Sequence, residues 1–361
     1  MRGTLVTALC AAVIGMGALA GCGNLASSSS AEAASAAGSG SGGGGAVSAS
    51  KLASLKAELA QAAEVPSFRA PGPAFNAKPA SGKTVVAVPF NSQIPYCSGL
   101  ISDMQSIGKG LGVKVVDYTA TGEVSQFEAA ATEAAAVHAS AFTTICGVDP
   151  SSITPQLAML KSKGIPTVAL LGDVSLPAPS NVQGVTSIQL VKSAQTLADD
   201  AIVQNNGQPF HALILTDDDI FGEQTPTSAA VNELKSVCGS SCPSTVVNVP
   251  SSNWQSGVSS QVSAELNRDP KITAIIAIYD GMVEGMMPAV TGAHRAGLHV
   301  YTYGASPGVV DLIKSTNGTV AADIGAGASW SALTGMEKAS LGPTKTRAAS
   351  AWRGASRRIT S

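Results

Sequence analysis

Charged and aromatic side chains are scarce in this sequence of 361 residues. Asp, Glu, Lys and Arg together make up 13% of it and aromatic residues only 4%, whereas 45% is hydrophobic. The low charge excludes a disordered polyelectrolyte, and the hydrophobic fraction is sufficient for a sizeable core. The formal net charge is −2, so the chain lacks the basic excess by which general nucleic-acid binders attract phosphate backbones.

Long hydrophobic runs are also missing, except for one near the start of the chain. It extends from Leu5 to Leu19 behind Arg2, and at about 15 residues it is shorter than a transmembrane helix requires. Its length and its positive start are typical of a signal peptide. No other apolar run is long enough to span a membrane, so we expect no further membrane segment.

Small residues precede a cysteine in the stretch Leu19-Ala20-Gly21-Cys22. This stretch resembles the lipobox of bacterial lipoproteins, in which the chain is cut before the Cys and the Cys is then lipidated. The resemblance implies a lipoprotein signal peptide at residues 1–21, a lipid on Cys22, and a location outside the cytoplasm, on the cell surface or in the periplasm. The alternative is ordinary signal cleavage with an incidental Cys.

Residues 22–50 consist almost entirely of Ala, Ser and Gly. Chains of this composition behave as flexible coils, so they predict a tether between the lipid and a folded domain. A helix with a Pro-rich lead-in is predicted for residues 51–81, because Leu52, Leu55 and Leu59 share one helical face before several prolines.

Four of the six Cys remain once the signal peptide and the lipidation site are set aside. An even number outside the cytoplasm predicts two disulfides. Cys238 and Cys242 enclose a short local loop, while Cys97 and Cys146 both follow strand-like runs and could meet at one edge of a sheet. A metal site is the alternative, but the four His show no ligand spacing with these Cys, so we expect none.

From Gly82 onward the sequence alternates apolar strand-like runs with helical segments. Such alternation is typical of βαβ units and parallel sheets. About ten strands are many for a single sheet in a stretch of this length, and the pattern loosens around residues 182–188. We therefore predict an α/β fold of two doubly wound parallel-sheet lobes joined by a hinge, with the N-terminal lobe at 82–188 and the C-terminal lobe at 189–324.

Polar and aromatic residues that directly follow the predicted strands are the candidates for a ligand site, because open parallel sheets bind ligands beyond the carboxyl ends of their strands. Aromatic side chains offer stacking faces, or simply pack under loops. Carboxylates and amides exchange hydrogen bonds with hydroxyl or ammonium groups, or else cap helices and turns. The ligand-binding candidates are Asn91, Gln93, Tyr96, Asp173, Asp219, Phe221, Trp254, Asp280 and Ser306.

Neither Arg nor Lys occurs among these candidates, which disfavours a phosphate, sulfate or carboxylate ligand. A neutral polyol or a cationic amine fits better. The acidic run at 217–219 lacks the spacing and the Gly of a calcium loop, so we expect one of its carboxylates to face the cleft and predict neither a metal nor another cofactor.

The whole pattern resembles a type I periplasmic binding protein, and more narrowly the ribose/galactose-type substrate-binding proteins of sugar ABC importers. The order of elements over residues 65–334 carries the resemblance, with matching segments at 85–96, 164–170, 277–282 and 301–308. It implies a monomeric, lipid-anchored solute-binding protein that closes around a small polar solute, a sugar or polyol. Its partners would be the permease of an ABC importer and the cytoplasmic ATPase of that importer.

The sequence departs from this family in several places, two of which bear on the solute site and on the C-terminal fold. Sugar-binding relatives often carry an Arg in the loop after the first strand of the second lobe, where this chain has none between Asp217 and Gln224. The segment 325–361 is interpreted as a return to the N-terminal lobe with an atypical basic tail. Within it, residues 341–361 read as coil where the family has a final strand.

An enzyme is not predicted. The stretch Gly304-Ala-Ser306-Pro-Gly308 matches the G-x-S-x-G pattern of a nucleophile elbow, but that pattern needs a later His and all four His precede Ser306. The remaining alternatives are a ligand-sensing module that presents its closed state to a membrane receptor, and a truncated relative with impaired binding.

Overall fold

The structure is a computed structural model that describes residues 45–64, 76–170, 180–186, 188–220, 222, 224–325 and 357–359. Its contacts divide the chain into Met1–Ser41 and Gly42–Ser361, and all described residues belong to the second unit. The predicted signal peptide, Cys22 and most of the tether lie outside the described residues, as do the candidates Asp173 and Phe221.

The first sheet has five parallel strands in the order β2-β1-β3-β4-β5. Its buried strands read as continuous apolar runs because helices cover both faces of the sheet, and every residue of the third strand is buried. Its elements are β1 (Thr84–Pro89), α2 (Pro95–Leu111), β2 (Lys114–Asp117), α3 (Val124–Ala136), β3 (Ala141–Ile145), α4 (Thr154–Ser162), β4 (Thr167–Leu170) and the short, unpredicted β5 (Gly184–Thr186).

Within the described part of the chain, the second sheet has six strands in the order β11-β10-β9-β8-β6-β7, of which only β11 is antiparallel to its neighbour. Its elements are α5 (Leu190–Gln204), β6 (His211–Thr216), α6 (Gln224–Cys238), β7 (Ser244–Asn248), α7 (Val258–Arg268), β8 (Ile272–Ala277), α8 (Val283–Gly292), β9 (His299–Gly304), α9 (Pro307–Ser315), β10 (Val320–Gly325) and β11 (Arg357–Ile359).

The predicted α/β architecture of two parallel-sheet lobes is confirmed. The prediction that residues 341–361 form only coil is wrong at β11, whose backbone pairs with β10 from Asp323 to Gly325. Three residues with two Arg among them give no apolar run that sequence reasoning could detect, and the strand exists because β10 offers a free sheet edge.

A helix that precedes the first sheet, α1 (Ala49–Ala63), packs on the second lobe. Its Leu55 and Leu59 are buried, and Leu55 joins the core of that lobe beside Leu197 of α5. Just before the helix, the backbone N–H of Val47 donates to the carbonyl of Gly207 at 2.8 Å. No helix among the described residues is both long and apolar enough to cross a membrane.

Candidate ligand-binding cleft

A pocket lies where the carboxyl ends of both sheets face each other. The first lobe contributes residues after β1 and β3, namely Ile94, Tyr96, Cys97, Cys146 and Gly147. The crossing between the lobes adds Ile188 and Leu190, and the second lobe adds Ile220, Trp254, Tyr279, Asp280, Tyr303 and Gly304.

The pocket is narrow. Its cavity volume is about 40 Å³. A sugar ring needs more room, so the two walls have to separate before such a ligand can enter.

Two buried carboxylates belong to this region. Asp280, after β8, lines the pocket, and Asp323, on β10, stands behind it. Asp280 accepts a hydrogen bond from the backbone N–H of Ser306 at 2.6 Å, and Asp323 accepts from the N–H of Ala305 at 3.0 Å and 3.1 Å. The backbone N–H groups of the turn after β9 therefore donate hydrogen bonds to both carboxylates. Ala305 has a φ of 62°, a left-handed conformation that aims its N–H at Asp323.

Burial changes the protonation of both acids. It raises the pKa of Asp280 to about 6, with a smaller upward contribution from the charge of Glu284. The pKa of Asp323 is raised well above its usual range by burial and by the neighbouring Asp280. Both acids are therefore harder to ionise than exposed carboxylates, and because the charge of one acts on the other they titrate as a pair.

Two tyrosine hydroxyls from opposite lobes belong to the same cluster. Tyr96 stands in the first turn of α2, and Tyr303 stands near the end of β9 and is 4% exposed. Neither hydroxyl has a hydrogen-bond partner among the described residues. Burial and the charge of Asp280 raise the pKa of Tyr96, and burial, Tyr96 and Asp280 raise that of Tyr303, so both hydroxyls stay protonated.

An aromatic stack forms the adjacent wall. The rings of Trp254 and Tyr279 are stacked, with centroids 5.7 Å apart and planes at 26°. The indole N–H of Trp254 donates to the carbonyl of Val249 at 2.8 Å, which fixes the ring. Gly281 lets the ring approach, since a Cβ there would lie 2.6 Å from it.

The four described cysteines are paired as two disulfides. Cys97 at the start of α2 is bonded to Cys146 after β3, with Cα atoms 5.9 Å apart, and this bridge forms part of the pocket wall. Cys238 is bonded to Cys242 at the end of α6, with Cα atoms 5.5 Å apart. Among the described residues, no group of His, Cys, Asp or Glu is arranged to hold a metal ion.

The structure brings together only some of the residues nominated from the sequence. Tyr96, Trp254 and Asp280 line the pocket. Ser306 begins α9 beside it, and its backbone N–H reaches Asp280.

Three further candidates lie away from the pocket. Asn91 is buried in a turn, where its side-chain oxygen accepts from the backbone N–H of Gln93 at 2.8 Å. Gln93 itself is exposed. Asp219 is also exposed, and its backbone N–H donates to Asp217 at 3.0 Å.

Tyr303 and Asp323 were not predicted as site residues. Both lie within strands, whereas the candidates were chosen from the residues that directly follow a predicted strand. A signal for Asp323 was present: it is the one charged residue in the apolar run Val320-Ala-Ala-Asp-Ile324. A carboxylate at such a position has to be buried, and buried carboxylates are often functional.

Comparisons with known proteins agree with this architecture. The family model of the periplasmic binding protein domain matches residues 85–336. Among solved structures, a sugar ABC transporter protein from Yersinia enterocolitica subsp. enterocolitica 8081 is 17% identical and has a TM-score of 0.67, and the match covers 78% of this chain and 84% of that one.

Two other solved structures carry bound ligands. An ABC transporter periplasmic solute binding protein from Actinobacillus succinogenes 130z with D-allose is 15% identical with a TM-score of 0.66, covering 77% of this chain and 97% of that one. An ABC transporter solute binding protein from Mycobacterium smegmatis with glycerol is 15% identical and has a TM-score of 0.65, and the match covers 77% of this chain and 94% of that one. At these identities the likeness shows the fold. A search of curated proteins gives no significant match.

Proposed function

The chain belongs to the family of the periplasmic binding protein domain, and from this premise we propose that it captures a small polar solute, a sugar or polyol, between its two lobes. One observation carries the proposal. Tyr96 of the first lobe and Asp280 and Tyr303 of the second share one pocket, and both tyrosine hydroxyls lack a protein partner among the described residues. A ligand with hydroxyl groups would satisfy these side chains and hold the lobes together.

The mechanism is closure about a hinge. The narrow pocket requires the lobes to separate for a ligand to enter, and Ile188 and Leu190 belong to the crossing between them. The solved neighbours with bound D-allose and glycerol support a ligand of this class. No chemistry on the solute is proposed, because the role of the pocket is to bind and release.

Delivery and anchoring complete the proposal. The protein is held outside the cytoplasm by a lipid on Cys22 and passes its solute, as a monomer, to the permease of an ABC importer. Incorporation of labelled palmitate into the full chain, and its loss in Cys22→Ala, tests the anchor. Labelling that persists in Cys22→Ala would refute it.

Ligand binding is tested by thermal unfolding of the full chain with pentoses, hexoses and polyols. A ligand at about 100 times its dissociation constant stabilises by about 2.7 kcal/mol, which at about 2–4 °C per kcal/mol raises the melting temperature by about 5–11 °C. Asp280→Asn should lose this shift. Asp311→Asn, which removes an exposed carboxylate of the same lobe, should keep it. The absence of a shift with every compound, in a chain that melts cooperatively, would refute solute binding of this class.

A further inference from the structure

The charge of the pocket is uncompensated by the described protein. Asp280 lines it and Asp323 stands behind it, yet none of the thirteen described residues that line it is Arg, Lys or His. Backbone N–H groups serve both carboxylates, but they carry no net charge. Glu284, which also acts on Asp280, adds negative charge. A carboxylate held in an apolar site without a cation is costly, so a cation supplied by the ligand would be strongly favoured.

The aromatic side chains of the pocket are concentrated beyond what the composition predicts. The sequence has five Tyr and three Trp, and three of those Tyr and one Trp line this one pocket. Aromatic rings around a carboxylate form the environment that binds ammonium groups, because the ring faces are negative and attract cations.

The remaining wall is poor in hydrogen-bonding side chains. Apart from Tyr96, Tyr279, Asp280 and Tyr303, the described residues of the lining contribute aliphatic side chains, the Trp254 ring, a disulfide or glycine. A neutral sugar would therefore find side-chain hydrogen-bond partners among these described residues only at Asp280 and the tyrosines. A solute that adds an ionic interaction with Asp280 to these hydrogen bonds matches the wall better.

The hydroxyl of Tyr303 independently marks this pocket as a place for a ligand. The side chain is 4% exposed, and its oxygen has no partner among the described residues. Because a hydroxyl oxygen also accepts hydrogen bonds, Tyr303 and Tyr96 can accept from the N–H groups of an ammonium that faces Asp280.

We propose that the solute carries a protonated amino group, which is bound against Asp280 and enclosed by the rings of Tyr96, Trp254, Tyr279 and Tyr303. Amino sugars, amino polyols and compact amines belong to this class. The inference rests on the proposed function and names the class of solute that the cleft selects.

The test is calorimetric titration of the full chain at pH 7.5 with matched compounds. One set is glucosamine, glucose and N-acetylglucosamine, which share a ring and differ in the charge of one substituent. The other is ethanolamine and ethylene glycol. We expect the amine of at least one set to bind at least tenfold more tightly than its neutral counterparts.

Variants separate the charge effect from a general loss of the site. Asp280→Asn should reduce the preference for the amine to less than threefold, while Asp311→Asn should leave it unchanged. Circular dichroism and the melting temperature report whether each variant is folded, and Tyr303→Phe, which keeps the ring, should weaken amine binding severalfold.

The outcomes distinguish this inference from the proposed function. Equal or tighter binding of the neutral compounds would overturn the inference and leave solute binding standing. Tighter binding of the amine that persists in a folded Asp280→Asn would also overturn it. If neither these compounds nor the wider sugar and polyol panel binds, the proposed function fails and the inference fails with it.

Discussion

Gly304 lies against the carboxylate of Asp280 so closely that a Cβ atom at position 304 would be 2.4 Å from the carboxyl carbon. Its φ is 147°, a conformation that L side chains rarely adopt. The residue ends β9 and lines the pocket, so the chain can turn behind the carboxylate and bring the N–H of Ser306 to it. The position of the acid therefore depends on the absence of a side chain at 304.

Replacing Gly304 by Ala should displace Asp280 and abolish solute binding. We expect a loss of stability of about 2–4 kcal/mol, because the Cβ adds a clash to backbone strain. Denaturant unfolding and calorimetric titration measure the two effects. Gly318→Ala is the matched control, since Gly318 has a φ of 86° but open space where its Cβ would be. It should cost about 1–2 kcal/mol and leave binding intact. Equal effects of the two substitutions would contradict the role of the contact.

The pH dependence of amine binding should follow Asp280. Its pKa is raised to about 6 by burial, and the titratable groups around it are Glu284, Tyr96, Tyr303 and Asp323. Below this pKa the carboxylate takes up a proton and no longer attracts an ammonium, which remains charged. The association constant should therefore fall by up to about tenfold per pH unit below pH 6 and be level above it. Asp280→Asn should remove this pH dependence. If the association constant of the native protein for the amine were constant between pH 5 and 7.5, the assignment to Asp280 would be wrong.

The two disulfides should differ in their contribution to stability, because they close loops of different length. Cys97 and Cys146 are 49 residues apart, whereas Cys238 and Cys242 are 4 apart. The loop-entropy relation gives about 4 kcal/mol for the long loop and about 2 kcal/mol for the short one. Denaturant unfolding of Cys97→Ala/Cys146→Ala and Cys238→Ala/Cys242→Ala measures both losses, and each double variant is the control for the other. A larger loss from the short loop would contradict the entropic account.

Most of the fold could be predicted from the sequence because buried parallel strands appear in it as continuous apolar runs. The runs that became β1, β3, β6 and β8 are of this kind. Strand β11 could not be predicted, since its pairing depends on a backbone edge of β10 and on no pattern of its own side chains.

The candidate site could be predicted only in part. Strand ends select Tyr96, Trp254 and Asp280, because parallel sheets bring these positions to one edge. The same rule also selects Asn91, since a turn that must satisfy its own backbone uses the same residue types as a ligand site. Only the three-dimensional arrangement separates the two roles.

Asp217 should make the stability of the protein depend on pH. It is fully buried at the end of β6, and burial raises its pKa to about 7, with the charges of Asp219 and Asp218 adding to the shift. A folded-state pKa above the unfolded value means that ionisation opposes folding. This unfavourable contribution of Asp217 to the free energy of folding is almost absent at pH 4 and fully present above pH 7. Asp217→Asn removes it, so the variant should match the native protein at pH 4 and exceed it by about 2–4 kcal/mol at pH 8. Asp311→Asn, which removes an exposed carboxylate that does not act on Asp217, is the control. An Asp217→Asn variant no more stable than the native protein at pH 8 would refute the assignment.

Helix α1 should act as a structural part of the second lobe, although it precedes the residues that match the family domain. Leu55 is 1% exposed in a core shared with Leu197 of α5. Leu55→Ala should therefore cost about 2–5 kcal/mol, from lost burial and the cavity left behind. The loss should be local as well as global: hydrogen exchange in α5 should accelerate, while β1 of the first lobe keeps its protection in conditions where the protein stays folded. Lys56→Ala, at the exposed neighbouring position, should change stability by less than about 0.5 kcal/mol. If Leu55→Ala were as mild as Lys56→Ala, α1 would be an appendage of the second lobe and no part of its core.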